Sequence, residues 1–132
     1  MTSGLLDTSV FIAKQTDRPL GPLPDHVAVS VVTIGELQLG VLAEIDENVL
    51  ARRADTLALA RESDPIPVSE PVMTAWARLV VDCRRMGVHH TVRLTDTLIA
   101  ATAVVHGLPV VTQDENFDQI ATAHGSLRVI RV

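Results

Sequence analysis

Residues 95–114 read Thr95-Asp96-Thr97-Leu98-Ile99-Ala100-Ala101-Thr102-Ala103-Val104-Val105-His106-Gly107-Leu108-Pro109-Val110-Val111-Thr112-Gln113-Asp114. Residues 95–106 are apolar nearly all round, which predicts a helix buried on several sides. Gly107 supplies the left-handed residue that ends such a helix, and Pro109 cannot continue it. Residues 108–112 then read as a short β-branched strand that runs out at an acid. A buried helix feeding a short apolar strand predicts an α/β chain with a mainly parallel central sheet, an αβα sandwich.

The rest of the chain repeats that alternation. Strand signals fall at residues 4–6, 27–32, 66–68 and 127–132. Helical patterns fall at residues 8–15, 33–42, 47–62 and 69–86. The second opens with Thr33 and Glu36 at capping-box spacing. The fourth has Ser69 as a candidate N-cap, Pro71 in its first turn, and a core stripe of Val72, Trp76, Leu79, Val80 and Cys83. The proline-rich stretch 18–24 is a loop. No repeat or linker divides the 132 residues, so one domain over 1–132 is expected.

Composition excludes several classes. The chain is 47% hydrophobic but 2% aromatic, so its core is aliphatic and it lacks the platforms that stack single-stranded bases. The single cysteine, Cys83, excludes a disulfide framework and points to a reducing, cytoplasmic compartment. No apolar run reaches ~18 residues, so no membrane span is expected. The opening MTSGLLDTSVFIAKQ lacks the basic start of a secretion signal. The net charge of −5 argues by itself against binding nucleic acid.

Four acids stand apart from those on polar helix faces. Asp7 and Asp114 follow strand ends, where open α/β sheets place their ligands. Glu36 interrupts an apolar helix, and Asp96 opens the most apolar one. Each has a local reading: Asp7 and Asp114 as turn residues, Glu36 as the arm of a capping box, Asp96 as a dipole-complementing acid beside an N-cap Thr95. Together they have another. Carboxylates about 4–5 Å apart repel by roughly 3–4 kcal/mol per pair at an effective dielectric of ~20, so such a cluster takes up protons or cations. Two Mg²⁺ or Mn²⁺ ions balance four carboxylates, and hard ions prefer the oxygen ligands on offer. In two-metal phosphodiester hydrolysis one ion activates water and the other stabilises the leaving oxygen.

In these residues the chain resembles the PIN-domain ribonucleases, and among them the VapC-type toxins. The resemblance rests on Leu5-Leu6-Asp7-Thr8-Ser9-Val10, on Ser30 through Leu37 to Gly40, on Leu94-Thr95-Asp96-Thr97-Leu98 through Ala103, and on Val110 through Phe117. It implies Mg²⁺-dependent cleavage of structured RNA, tRNA or rRNA, with Mn²⁺ as a substitute ion. It also implies a VapB-like antitoxin and a homodimer. Asp7, Glu36, Asp96 and Asp114 match the metal-site acids. Thr8, Ser9 and Thr112 match hydroxyl positions that orient a carboxylate or a water on the metal. Position 116 departs from many relatives: Asn116 stands where they carry a further acid, and it offers an oxygen without charge.

If metals neutralise the four acids, the remaining net charge is about −1. The ten arginines can then supply a basic rim. Candidates are Arg52, Arg53, Arg61, Arg84, Arg85 and above all Arg93, three residues before Asp96, with His89 and His90 beside it. Most of these also read as solvated helix faces. Apolar positions around 41–42, 50–59 and Trp76 can serve a dimer face or an antitoxin groove, and the sequence does not divide them. Three other classes compete. A phospho-acceptor receiver needs a late lysine, but the only lysine is Lys14. A haloacid-dehalogenase-like phosphatase needs an acid two residues after Asp7, where Ser9 stands. A PIN-like fold without catalysis would be a binding module, and Asn116 favours it.

Overall fold

The computed structural model describes all 132 residues. Its elements alternate: β1 (Ser3–Leu6), α1 (Thr8–Gln15), β2 (His26–Val29), α2 (Val31–Ala43), α3 (Glu47–Arg61), α4 (Glu70–Arg85), α5 (Leu94–Val105), β3 (Val110–Thr112), α6 (Asn116–Ala123) and β4 (Val129–Arg131). All strand pairings are parallel, and the order is β2-β1-β3-β4. The chain leaves β1 towards one edge to make β2, and returns later to the other side of β1 with β3. That reversal opens a crevice at the carboxyl ends of β1 and β3, the usual ligand position in such sheets.

Strand alternation divides the core in two. Leu5 and Val110 point to one face and pack with Leu79, Cys83, Ile99, Phe117 and Ile120 of α4, α5 and α6. Leu6, Val29 and Val111 point to the other and pack with Val10, Phe11, Leu37 and Leu57 of α1, α2 and α3. Helices therefore cover both faces. Each fully buried aliphatic or Phe side chain contributes roughly 1.5–3 kcal/mol of transfer free energy.

Several expected boundaries moved. The strand expected at 27–32 stops at Val29, and Ser30 caps a helix that starts at Val31, accepting from the Val32 amide at 3.0 Å. Thr33 is therefore inside the helix, and the Thr33–Glu36 capping box does not form. The strand expected at 66–68 is reduced to one bridge between Ser30 and Ile66. Pro65 and Pro67 flank it and cannot donate to a ladder. Arg93, not Thr95, is the N-cap of α5. The helix α6 had no counterpart in the sequence reading. Gly107, at φ +63°, closes α5 as its position implied.

Gly4 is where two strands approach too closely for a side chain. A Cβ there would lie 2.5 Å from Val111 Cγ2 and 3.1 Å from Pro24 Cγ. Val111 is fully buried and cannot move away. We expect Gly4→Ala to cost about 1–3 kcal/mol by overpacking. The denaturation midpoint measures this, and adding Val111→Ala should recover part of the loss.

Candidate active site

The crevice beyond β1 and β3 gathers the four singled-out acids. Asp7 follows β1 directly and caps α1, accepting from the Ser9 amide at 3.3 Å. Its Oδ2 also accepts from Thr112 Oγ1 at 2.9 Å, which ties the end of β1 to the end of β3. Thr112 Oγ1 in turn accepts from the Asp114 amide at 2.8 Å, and Ser9 Oγ accepts from the Gln113 amide at 3.0 Å. Ser9 and Thr112 hydroxyls pair at 3.2 Å. Hydroxyls thus fix the turn that presents Asp114, and Asp114 Oδ1 accepts from the Asn116 amide at 3.0 Å at the start of α6.

Glu36 reaches the same place from α2. Thr8 Oγ1 donates to its Oε1 at 2.7 Å, and Thr95 Oγ1 donates to its Oε2 at 3.3 Å. Thr8 Oγ1 also lies 3.2 Å from the buried Thr33 hydroxyl. Thr33 and Thr95, read from the sequence only as caps, are therefore parts of the site. Asp96 is completely buried in the first turn of α5. It accepts from Asn116 Nδ2 and from Arg93 Nε, each at 3.3 Å. Asn116 also reaches Asp114 Oδ2 at 3.5 Å. In this arrangement Asn116 acts as a donor between two carboxylates.

Arg93 joins three of the acids. Its guanidinium lies 3.3 Å from Asp96 and 3.9 Å from both Glu36 and Asp114. The Asp96 hydrogen bonds, and then the Asp96 charge, hold it protonated more firmly than a free arginine. Yet its side chain is 59% exposed, and its contacts are longer than the 2.7–2.9 Å of strong charge-assisted bonds. Other expected cations are engaged elsewhere. Arg53 donates to the Gly40 carbonyl and pairs with Glu44, and Arg61 donates to Gln38. Arg52, Arg84, Arg85, His89 and His90 are exposed and touch none of the four acids.

One cation does not balance four carboxylates. Asp7 Oδ1 is buried and has no hydrogen-bond partner. Burial raises the Asp7 pKa above its ordinary value; the Ser9 and Thr112 hydrogen bonds oppose this and the Asp96 charge adds to it. As the side chains stand, no three acids close on a single ion, and the Arg93 guanidinium lies among Glu36, Asp96 and Asp114. The donor chemistry nevertheless fits a hard divalent cation. The acids supply oxygen ligands only, one buried carboxylate oxygen is unpaired, and the guanidinium among three of them is exposed and held by long contacts.

Residues 4–123 match the PIN domain model. Ribonuclease VapC8 of Mycobacterium tuberculosis is 62% identical over 102 residues, covering 77% of this chain and 91% of that protein. Ribonuclease VapC5 of the same species is 41% identical over 132 residues, covering 98% and 96%. The crystal structure of VapBC-5, from a toxin-antitoxin family in M. tuberculosis, superposes with a TM-score of 0.87 at 39% identity, covering all of both chains. The chain belongs to the PIN-domain family, within its VapC-type ribonucleases.

The Asp7 environment predicts a stability signature. A carboxyl group whose pKa is raised by folding binds more protons folded than unfolded, so stability falls as pH rises from the ordinary aspartate value through the raised one. Asp7→Asn removes that loss. Thermal melts of the metal-free protein at neutral pH should show the variant a few degrees more stable than wild type, with a flatter pH profile. Equal melting temperatures at all pH values would contradict this.

Proposed function

We propose that the protein is a Mg²⁺-dependent endoribonuclease, the toxin of a VapBC-type pair, that cuts structured RNA such as tRNA or rRNA. Mn²⁺ is the expected substitute ion. The observation that carries this reading is the convergence of Asp7, Glu36, Asp96 and Asp114 on one crevice, with a buried oxygen of Asp7 unpaired. The relatives are named ribonucleases, and the VapBC-5 structure belongs to a family of toxin-antitoxin systems, which supports a VapB-like partner for this chain. One PIN-like domain over 1–132 carries the activity. A homodimer and a cytoplasmic location complete the proposal; no helix is long and apolar enough to cross a membrane.

Asp7, Glu36, Asp96 and Asp114 would hold the ion. When bound, a divalent ion supplies an activated water and stabilises charge on the leaving oxygen. The chain's own residues do the positioning. Thr112 and the Ser9 amide fix the Asp7 carboxylate, Thr8 and Thr95 fix Glu36, and Asn116 spans Asp96 and Asp114. Such support keeps ligand oxygens aimed without rearrangement when RNA arrives. Arg93 sits where its fork can swing from carboxylates to a phosphate of the substrate.

Induction of wild-type protein, followed by sequencing of RNA ends, should reveal discrete new termini. The Asp7→Asn form should give none, although it folds. In vitro, EDTA should abolish cleavage, and Mg²⁺ or Mn²⁺ should restore it. Cleavage that persists in rigorously metal-free protein would overturn the reading.

A further inference from the structure

Beside the carboxylates lies a second, quite different surface. An open cleft of about 460 Å³ is bordered by Ser9, Arg18, Gln113, Asp114, Asn116 and Arg131, with no hydrophobic side chain in its lining. Pockets for small molecules of that size are mostly apolar, so this one suits a hydrophilic ligand. Asp114 and Asn116 belong both to it and to the candidate active site, so the cleft begins where the ion would sit. Arg93 does not line it.

The two arginines are held there by the fold. Helix α1 ends with Asp17 in the left-handed region, at φ 55°. The Arg18 amide reaches back to the Ala13 carbonyl at 2.8 Å, closing a Schellman-type turn. Gln113 Nε2 donates to the Pro19 carbonyl at 2.8 Å, which pins the following residue against the cleft wall. The Arg18 backbone is thus fixed on both sides, while its exposed guanidinium makes no ion pair within the chain. Arg131 reaches in from β4, bound to the Gln113 carbonyl at 3.1 Å and to Asp118 at 2.8 Å. That ion pair is about half exposed on both partners, and exposed pairs of this kind are weak enough to exchange.

We infer that Arg18 and Arg131 form a phosphate-binding arm that grips the RNA backbone next to the phosphodiester being cut. The inference rests on the ribonuclease reading and adds the path of the substrate. A guanidinium fork matches a phosphate's oxygens, and Ser9, Gln113 and Asn116 add uncharged polar groups along the way. Glu115 on the rim and Asp118 oppose it, so Arg18, without an acidic partner, contributes most.

The test uses a labelled stem-loop RNA and the full chain. In the Asp7→Asn background, Arg18→Ala should weaken RNA binding about 3- to 10-fold whatever the loop sequence. It should also reduce the slope of log affinity against log salt by about 0.7, the value for one single-strand phosphate contact. Arg18→Lys should recover part of the affinity, and Asp118→Asn, which frees Arg131, should tighten binding. In the active chain, Arg18→Ala should raise KM with kcat within about twofold, as for loss of uniform binding. Unchanged affinity and unchanged salt slope, with RNA still bound by the Asp7→Asn chain, would overturn the arm while leaving the ribonuclease reading intact. Weakened binding of a purified antitoxin, with RNA affinity unchanged, would overturn it too. If the wild type neither binds nor cuts RNA, the ribonuclease reading fails and the arm falls with it.

Discussion

Two aspartates, Asp7 and Asp96, are almost wholly removed from water at the carboxyl edge of a parallel sheet, each near the other's charge. Burying like charges is unfavourable, and nothing in the apolar layers around them offsets it. The surrounding structure makes sense as a response. Thr112 and Ser9 satisfy one oxygen of Asp7, while Asn116 and Arg93 satisfy Asp96. The remaining oxygen of Asp7 stays unpaired. A buried acceptor without a partner costs roughly 1–3 kcal/mol, so it persists where function requires it. The sheet order supplies the place, since only at the reversal between β1 and β3 do two strand ends deliver side chains to one crevice.

Arg93 ties three of the four acids together. With its guanidinium among Glu36, Asp96 and Asp114, it partly neutralises them, and the protein tolerates its own charge without an ion. On the proposed reading, its long contacts and exposure would let a divalent cation compete for the same carboxylates and free the guanidinium for a negatively charged substrate. On that reading the net charge of −5 would be no obstacle to binding RNA. Four of the sixteen acids are gathered where a cation would neutralise them, and Arg18, Arg93 and Arg131 lie around that point.

Much of this was legible in the sequence because it is local. An acid after a short apolar strand, as at Asp7 and Asp114, needs only its neighbours to be noticed. The buried character of α5 followed from its unbroken run of small and apolar residues. What escaped depends on contacts between distant segments. The hydrogen bonds from Thr8 and Thr95 to Glu36 span 28 and 59 residues, so no spacing rule reports them. Val31 and Val32 are β-branched and read as strand, but β2 ends at Val29 and the chain turns through Ser30 into α2: tertiary context overrides propensity. Helix α6 shows only Phe117 and Ile120 as a buried stripe, at i, i+3, too little to read in eight residues. Arg18 looked like loop, because its place beside Asp114 depends on a turn closing against Gln113.

The claim on which the account turns is that Asp7 and Asp96 hold a divalent ion in exchange for Arg93. Crystals of the protein soaked in Mn²⁺ and measured at the manganese absorption edge test it directly. The account predicts anomalous density against the Asp7 and Asp96 carboxylates, with the Arg93 side chain turned away. Crystals saturated with Mn²⁺ that show no such density, and Arg93 still between Glu36, Asp96 and Asp114, would contradict it.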